Sequence, residues 1–355
     1  YIKVVKVDAE TGVTIPYAGA GFQIYRPDGS KVEMTFTYPT PTTIDTFYTN
    51  AEGYLVTPEK LEYGSGYSLV EVQAPYGYVL DSTPVYFDVT EDNSTEEGGV
   101  TVIEVTKSNM AQKGVIKVSK TGEVFSSVQE NEGVYQPVYE VTGLPGAVFE
   151  ITALEDVYTP DGTLRYSAGE VVDTITTGED GTAQSQPLYL GKFQVKEIEF
   201  PHGMADTGEN ITEVELVYAG QTVEVQTVSA TFLNERQKAA VRLEKQDEET
   251  KNPLSGGIYG LYAAEDIKVD GKTVVPKGTL IEKATTGADG KASYKAELPI
   301  NYSYSIREIQ APELYLRNSE DTYTFTFKFT NDKEEKVNFS HTFTNKRVNA
   351  TIDLV

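Results

Sequence analysis

Short stretches in which apolar and polar residues alternate recur along the whole chain, and a period of two is typical of β-strands with one buried face. At the start, Ile2 and Val4 share a face with Lys6. Residues that favour tight turns separate the stretches. The composition agrees, because 24 Tyr, 14 Phe, 30 Gly and 16 Pro suit many short strands joined by turns. The pattern predicts an all-β protein.

Four motifs recur three times in the same order, as expected for tandem repeats. The first is an alternating strand that ends in lysine, and the second is a small-residue step into an apolar strand. The third is a turn rich in Gly, Asp and Asn, and the fourth is a strand that ends in glutamate before a proline turn. Each unit then closes on an asparagine. In chain order these residues are Lys6, Glu71 and Asn109; Lys120, Glu197 and Asn234; and Lys245, Glu308 and Asn345.

The spacing of these residues supports the alignment. Glutamate and asparagine are 38, 37 and 37 residues apart, and each asparagine precedes the next unit's lysine by 11 residues (109 to 120, 234 to 245). Lysine and glutamate are 65, 77 and 63 residues apart, so variable loops lie on a fixed strand frame. We expect domains at residues 1–109, 110–234 and 235–346, joined by short linkers into a semi-rigid rod. Residues 347–355 repeat an opening strand and predict the start of a fourth domain.

The recurring lysines and glutamates continue the apolar face of their strands. In the second unit, Ile116 and Val118 precede Lys120 at two-residue steps, and Phe193 and Val195 precede Glu197 in the same way. A buried lysine or glutamate without a partner is costly and rare. From the pattern alone, each pair is either a buried ion pair, a lysine whose amine reaches solvent at the strand end, or part of a reactive set.

The motifs resemble the collagen-adhesin B-type (SpaA-like) repeats of Gram-positive surface adhesins and sortase-assembled pilins. The resemblance rests on the Lys-Val-Asp opening at residues 6–8, the Gly-Ala step, the Thr-x-x-Asp/Glu-Gly turn, the glutamate before Ala-Pro-x-Gly-Tyr and the closing asparagine. It implies three tandem reverse Ig-like β-sandwich domains in an extended rod. It also implies an isopeptide bond between the first-strand lysine and last-strand asparagine of each unit, assisted by its glutamate.

Three residues depart from the repeat pattern, and each departure predicts a local change in strand or turn geometry. Lys107 stands where the other units have Phe232 and Phe343, so the closing strand of the first unit is expected to be bulged or shifted. Met204 replaces the tyrosine of the proline turn in the second unit, and Leu314 replaces its glycine in the third. We expect those two turns to differ in shape.

Charge and composition exclude several classes of function. With 30 basic and 54 acidic residues, the net charge of −24 repels nucleic acid and anionic membrane surfaces. Cysteine is absent, which excludes disulfides, thiol catalysis and cysteine-based metal sites. No stretch is apolar enough to span a bilayer and no leader precedes the first strand, so we expect a mature or truncated piece of an extracellular protein. No cofactor or metal is expected.

The sequence therefore favours a non-enzymatic, wall-anchored stalk that cross-links itself. The two histidines, His202 and His341, do not supply a Ser-His-Asp or zinc site. Expected partners are neighbouring domains or pilin subunits, and sortase acting through a signal outside this sequence. The alternative is an adhesin that binds a host matrix protein or glycan through loops of the first or second unit. Candidate loops are the aromatic insert at residues 36–48, with Tyr38 and Phe47, and the long insertion after Lys120.

Overall fold

The computed structural model describes residues 1–37 and 39–349, so Tyr38 of the candidate binding insert and residues 350–355 of the expected fourth unit lie outside the described residues. Within the described ranges the chain forms β-strands and no helix. Accordingly, this part of the chain contains no helix that is long and apolar enough to cross a membrane. The predicted all-β class is confirmed.

The first domain packs two four-stranded sheets around one apolar core. Its strands are β1 (Ile2–Asp8), β2 (Gly21–Tyr25), β3 (Met34–Phe36), β4 (Thr42–Ile44), β5 (Phe47–Tyr48), β6 (Tyr54–Val56), β7 (Gly64–Gln73), β8 (Val85–Val89), β9 (Thr95–Glu97) and β10 (Val100–Asn109). One sheet has the order β6-β1-β10-β9, and the other has the order β5-β2-β7-β8. The aromatic insert contributes to the β3–β4 hairpin and to β5, where the candidate binding residue Phe47 is buried in the core of this sandwich.

The second domain repeats this plan with longer strands. Its strands are β11 (Lys113–Asn131), β12 (Val134–Gly143), β13 (Val148–Ala153), β14 (Val157–Tyr158), β15 (Leu164–Tyr166), β16 (Val171–Thr176), β17 (Thr182–Gln184), β18 (Leu188–Tyr189), β19 (Gly191–Glu199), β20 (Met204–Ala205), β21 (Ile211–Leu216) and β22 (Val225–Arg236). The first half of β11 pairs with β22, β17 and β18, and faces a sheet of order β16-β13-β19-β21. The side chains between these sheets form a separate core.

The third domain has the same two layers. Its strands are β23 (Lys238–Asp247), β24 (Ile258–Ala263), β25 (Ile267–Val269), β26 (Lys272–Val275), β27 (Leu280–Thr285), β28 (Lys291–Ser293), β29 (Tyr302–Gln310), β30 (Thr322–Phe327) and β31 (Lys336–Asn345). One layer has the order β28-β23-β31, and the other has the order β27-β24-β29-β30. Three β-sandwiches in tandem are thus confirmed.

The long insertion of the second domain lies on the third domain instead of projecting as a free loop. It forms the hairpin made by the second half of β11 and by β12, and β12 meets β27 through the parallel pair Val134–Leu280. Phe125, Val128 and Tyr135 of this hairpin pack against the core of the third domain. The insertion buries apolar area between two domains, which opposes bending at this junction.

A charged cluster joins the first and second domains. Arg165 of the second domain contacts Asp8 Oδ2 at 3.3 Å and Glu10 Oε2 at 3.2 Å. Asp8 is fully buried and also accepts a hydrogen bond of 3.0 Å from the Tyr78 hydroxyl. Because removal of one partner would leave a buried charge unpaired, this cluster ties the two domains together.

Candidate functional site: a buried lysine, glutamate and asparagine in each domain

The first and last strands of each domain lie side by side and run parallel, which brings the predicted lysine and asparagine together. In every domain the lysine pairs with the residue two positions before the asparagine, so both side chains point to the same face. These register pairs are Lys6–Lys107, Lys120–Phe232 and Lys245–Phe343. The face is the inner one, because all three lysines and all three asparagines are buried.

The register corrects one expectation from the sequence. The closing strand of the first domain is neither bulged nor shifted, since β1 and β10 pair without interruption and Asn109 holds the same register as its counterparts. Lys107 is tolerated beside the core because its amine reaches outward to Asp81 Oδ2 and Thr83 O, each at 2.8 Å. The charge therefore has partners at the edge of the sandwich.

The glutamate reaches the lysine from the opposite sheet. In all three domains it lies directly across from an aromatic residue of the neighbouring strand, and a bulge interrupts the pairing just before that position. A bulge re-aims the side chains that follow it. The aromatic–glutamate pairs are Phe22–Glu71, Phe149–Glu197 and Tyr259–Glu308. All three glutamates are buried.

The second domain has the most compact arrangement. Lys120 Nζ lies 2.6 Å from Glu197 Oε2 and also contacts Asn234 Oδ1. The amide nitrogen of Asn234 donates to Glu197 Oε1 at 3.2 Å. The amine, the carboxyl group and the side-chain amide thus form a closed triangle of direct contacts.

The third domain contains the same triangle with further hydrogen bonds around it. Lys245 Nζ contacts Asn345 Oδ1 and lies 3.5 Å from Glu308 Oε1. Asn345 Nδ2 donates to Glu308 Oε1 at 2.9 Å and to Leu316 O at 2.7 Å. The hydroxyl of Tyr259 donates to the same glutamate oxygen at 3.1 Å. A tyrosine at this position was not singled out by the sequence, although the other domains have phenylalanine there.

The first domain has the same three groups in a different contact pattern. Lys6 Nζ lies 3.2 Å from Glu71 Oε1 and donates to Lys107 O at 2.9 Å. Asn109 Nδ2 donates to Glu71 Oε2 at 2.6 Å and to Val79 O at 2.5 Å. Its Oδ1 is buried and accepts no hydrogen bond from the described residues. Here the lysine amine contacts the glutamate carboxyl group and not the side-chain carbonyl of the asparagine.

Burial changes the acid–base properties of these groups in the direction that amide formation needs. Burial lowers the pKa of Lys6 to about 8, although the charge of Glu71 opposes this change. It also lowers the pKa of Lys120 and of Lys245. The pKa of Glu197 is raised, again chiefly by burial and against the effect of Lys120. In the second domain a neutral amine beside a protonated carboxyl group therefore becomes accessible.

A glycine turn holds the backbone of each lysine. The amide of Lys120 donates to Gly181 O at 2.7 Å, and Lys245 is held by Gly290 in the same way. Gly181 has a φ of 76°, and a Cβ at this position would lie 2.4 Å from Lys120 O. The turn predicted from its Gly, Asp and Asn residues is present, and the positive φ and this close approach explain why it contains glycine.

The proline turn keeps one shape in all three domains, contrary to the expectation for the second and third. The residue after Pro-x-Gly donates its amide to the proline carbonyl at 3.1, 3.1 and 3.2 Å in the three domains. Leu314 adopts a φ of 68°, close to the left-handed values of Gly77 and Gly203. Leucine thus accepts the strain of a glycine position and retains the turn.

The two histidines lie away from the three clusters. His202 packs edge-on against Phe329 of the third domain at a centroid distance of 5.0 Å. His341 stacks on Tyr323 and approaches Asp321 Oδ1 at 3.3 Å. Within residues 1–37 and 39–349, no group of three or more His, Asp or Glu side chains is arranged to hold a metal ion.

The sequence of the chain matches a family described as SpaA, prealbumin-like fold domain, at residues 1–107, 138–231 and 239–342. The chain belongs to this family. The three SpaA matches correspond to the three sandwiches, but they stop short of all three asparagines and omit Lys120. Membership therefore supports the fold, while the chemistry of the clusters rests on their geometry.

Two solved structures align with this chain at low sequence identity. The Bacillus anthracis TIE protein is 22% identical with a TM-score of 0.57, and the alignment covers 97% of this chain and 50% of that one. This chain thus spans half the length of that relative. BcpA, the major pilin subunit of Bacillus cereus, is 18% identical with a TM-score of 0.34, over 98% of this chain and 99% of that one. No curated protein sequence matches the chain.

Proposed function

We propose that this chain is a structural shaft or stalk segment of a Gram-positive cell-surface adhesin or pilin, reinforced by self-formed Lys–Asn amide bonds. One observation carries the proposal: in each domain a lysine amine and an asparagine amide of the first and last strands are buried together with a glutamate carboxyl group of the facing sheet. A buried ion pair needs only the first two groups. The recurring asparagine is explained by a reaction that consumes it.

The reaction balances within each cluster. The glutamate takes a proton from the lysine ammonium group, and the neutral Nζ attacks Cγ of the asparagine. The Nζ–Cγ bond forms, the Cγ–Nδ2 bond breaks, and the amide nitrogen leaves as ammonia after it gains a proton from the attacking amine through the glutamate. The glutamate retains the remaining proton. Each cluster acts once, so the chain modifies itself and is not an enzyme.

The position of the bonds suits a protein under tension. Each bond would join the end of the first strand to the end of the last strand, and those strands are parallel neighbours. A force applied at the two ends of a domain would pass through the amide bond and bypass the chain between the two residues. We take the domains as residues 1–109, 110–234 and 235–346, with pilin subunits or neighbouring domains as partners at an extracellular, wall-anchored location.

The ligand-binding alternative now depends on the first domain. Its β3–β4 hairpin stands beside the sandwich, and Phe36 at the end of β3 is exposed. The insertion of the second domain packs against the third domain and offers less free surface for a host matrix protein or glycan. A binding screen with a β3–β4 deletion as the control distinguishes an adhesin from a stalk.

Intact mass and peptide mapping test the proposed bonds. We expect the unaltered chain to lack three ammonia molecules and to yield peptides that join Lys120 to Asn234 and the equivalent pairs. Glu197→Ala removes the proton carrier of the second domain, so this variant should retain one ammonia, whereas Glu199→Ala alters an exposed glutamate of the same strand and should not. A mass equal to that of the plain sequence would refute the proposal and leave buried ion pairs as the explanation.

A further inference from the structure

Both junctions between domains are built from the same contacts. The linker after each closing asparagine crosses the proline turn of its own domain, where Gln112 N donates to Gly77 O and Gln237 N donates to Gly203 O, both at 2.8 Å. These glutamines occupy the same place, three residues after the asparagine, and both are buried. A buried amide side chain at an equivalent place in two linkers needs partners there.

The partners come from one turn of the following domain. Gln112 Nε2 donates to Gly220 O at 2.9 Å and to Val223 O at 2.5 Å, and its Oε1 accepts from Ala219 N at 2.7 Å. At the second junction Gln237 makes the same three bonds to the turn at residues 330–334. The linker glutamine thus fastens residues 219–223 of the second domain to the first domain.

The turn at residues 219–223 also contacts the proline-turn segment of the first domain. Leu80 N donates to Gln221 O at 2.8 Å, and Ala74 N donates to Gln221 Oε1 at 2.9 Å. The ring of Tyr76 packs on Tyr218 with centroids 4.5 Å apart. Residues 74–80 are therefore held from the side of the second domain.

The same segment forms one wall of the cross-link site in the first domain. Val79 O accepts a hydrogen bond from Asn109 Nδ2, and Asp81 N donates to Glu71 Oε2 at 3.2 Å. Leu80, which lies between these two contacts, is the residue that Gln221 of the second domain holds. The second domain therefore holds the residue between the two backbone groups that contact Asn109 and Glu71.

We propose that residues 219–223 of the second domain are a positioning element for the Lys6–Asn109 bond of the first domain. The proposal rests on the proposed function. Docking of this turn fixes Val79 and the amide of Asp81, which orient the leaving amide of Asn109 and the carboxyl group of Glu71. Because small misplacements of reacting groups slow a reaction, the bond forms faster once the second domain has folded against the first.

The second domain provides an internal contrast. Its junction has the same glutamine, but in the described part of the chain Asn234 Nδ2 donates to Glu197 alone and not to the proline-turn backbone. The third domain therefore does not position the Lys120–Asn234 bond through this route. Loss of the linker glutamine should slow cross-linking in the first domain but not in the second.

The test follows bond formation in the full chain during cell-free synthesis, with peptide mapping at successive times. Gln112→Ala removes the three hydrogen bonds between the linker and the turn at residues 219–223. Gln221→Ala removes the side-chain acceptor for Ala74 N in the half-buried turn of the second domain. Gln112→Ala should slow the joining of Lys6 to Asn109 by roughly tenfold. Gln221→Ala should slow it less, because the bond from Leu80 N to the Gln221 backbone remains. Both should leave Lys120–Asn234 formation unchanged. Gln237→Ala is the matched control and should slow neither bond.

Hydrogen exchange at the Leu80 and Asp81 amides adds a readout that general destabilisation would not reproduce. Faster exchange at these amides, with the core strands of the first domain still protected, supports the positioning role. If both variants join Lys6 to Asn109 at the unaltered rate, this inference fails while the proposed function stands. If the unaltered chain never joins them, the proposed function fails for the first domain and the inference fails with it.

Discussion

Removal of the cross-link in the second domain should lower the free energy of unfolding of that domain by about 5 kcal/mol. Asn234→Ala removes the electrophile but keeps the ion pair of 2.6 Å between Lys120 and Glu197. The proposed bond spans 114 residues, and closing a loop of that length restricts the unfolded chain by about 5 kcal/mol in the chain-entropy treatment of cross-links.

Thr177→Ala serves as the control for the loss of a local contact in the same domain. The buried Thr177 hydroxyl donates to Leu144 O at 2.7 Å and accepts from Ala147 N at 3.0 Å, and it takes no part in the cross-link. Its removal should cost about 1 to 2 kcal/mol.

Hydrogen exchange of the β13 and β19 amides in increasing urea measures this domain separately. With a slope of about 2 to 3 kcal/mol per molar urea, Asn234→Ala should lower the midpoint by about 2 M. Equal shifts for Asn234→Ala and Thr177→Ala would refute the reasoning, because they would leave no stability to assign to a covalent bond.

Two further predictions concern pH and the glycine turn. Formation of the Lys6–Asn109 bond should speed up as pH rises through about 8, because burial lowers the pKa of Lys6 to about that value and the neutral amine is the form that attacks; a rate that does not change over this range would contradict this. Gly181→Ala should destabilise the second domain by several times the roughly 1 kcal/mol expected for Gly162→Ala in thermal unfolding. Both glycines have positive φ, but only at Gly181 would the new Cβ meet backbone atoms, including Lys120 O at 2.4 Å. Equal losses would show that the close approach does not matter.

Much of the candidate site could be predicted because its residues obey local rules. The period of two along β11 places Lys120 on the same face as Ile116 and Val118, and all three are fully buried. The repeated spacing aligned the three units, and the resemblance to SpaA-like repeats then indicated the partners in each unit without any knowledge of the strand order. All nine predicted residues lie in three buried clusters, one in each domain.

Expectations failed where a residue departed from the repeat. Lys107 suggested a disturbed strand, but the structure keeps the register because Asp81, distant in sequence, provides a partner for the amine. Leu314 suggested a different turn, but the chain retains the turn with leucine at positive φ. A substitution in a repeat can be absorbed by contacts that the local sequence does not contain.

The sequence by itself determined the class, the three units and the inward faces, because these follow from periodicity and spacing within one segment at a time. Only the tertiary structure decided which strands became neighbours, where the insertion of the second domain lies, and how each linker glutamine is satisfied. Gln112 shows the reason: its three partners lie more than a hundred residues along the chain. Such contacts form when the folded domains meet, and no pattern within a single strand or turn contains them.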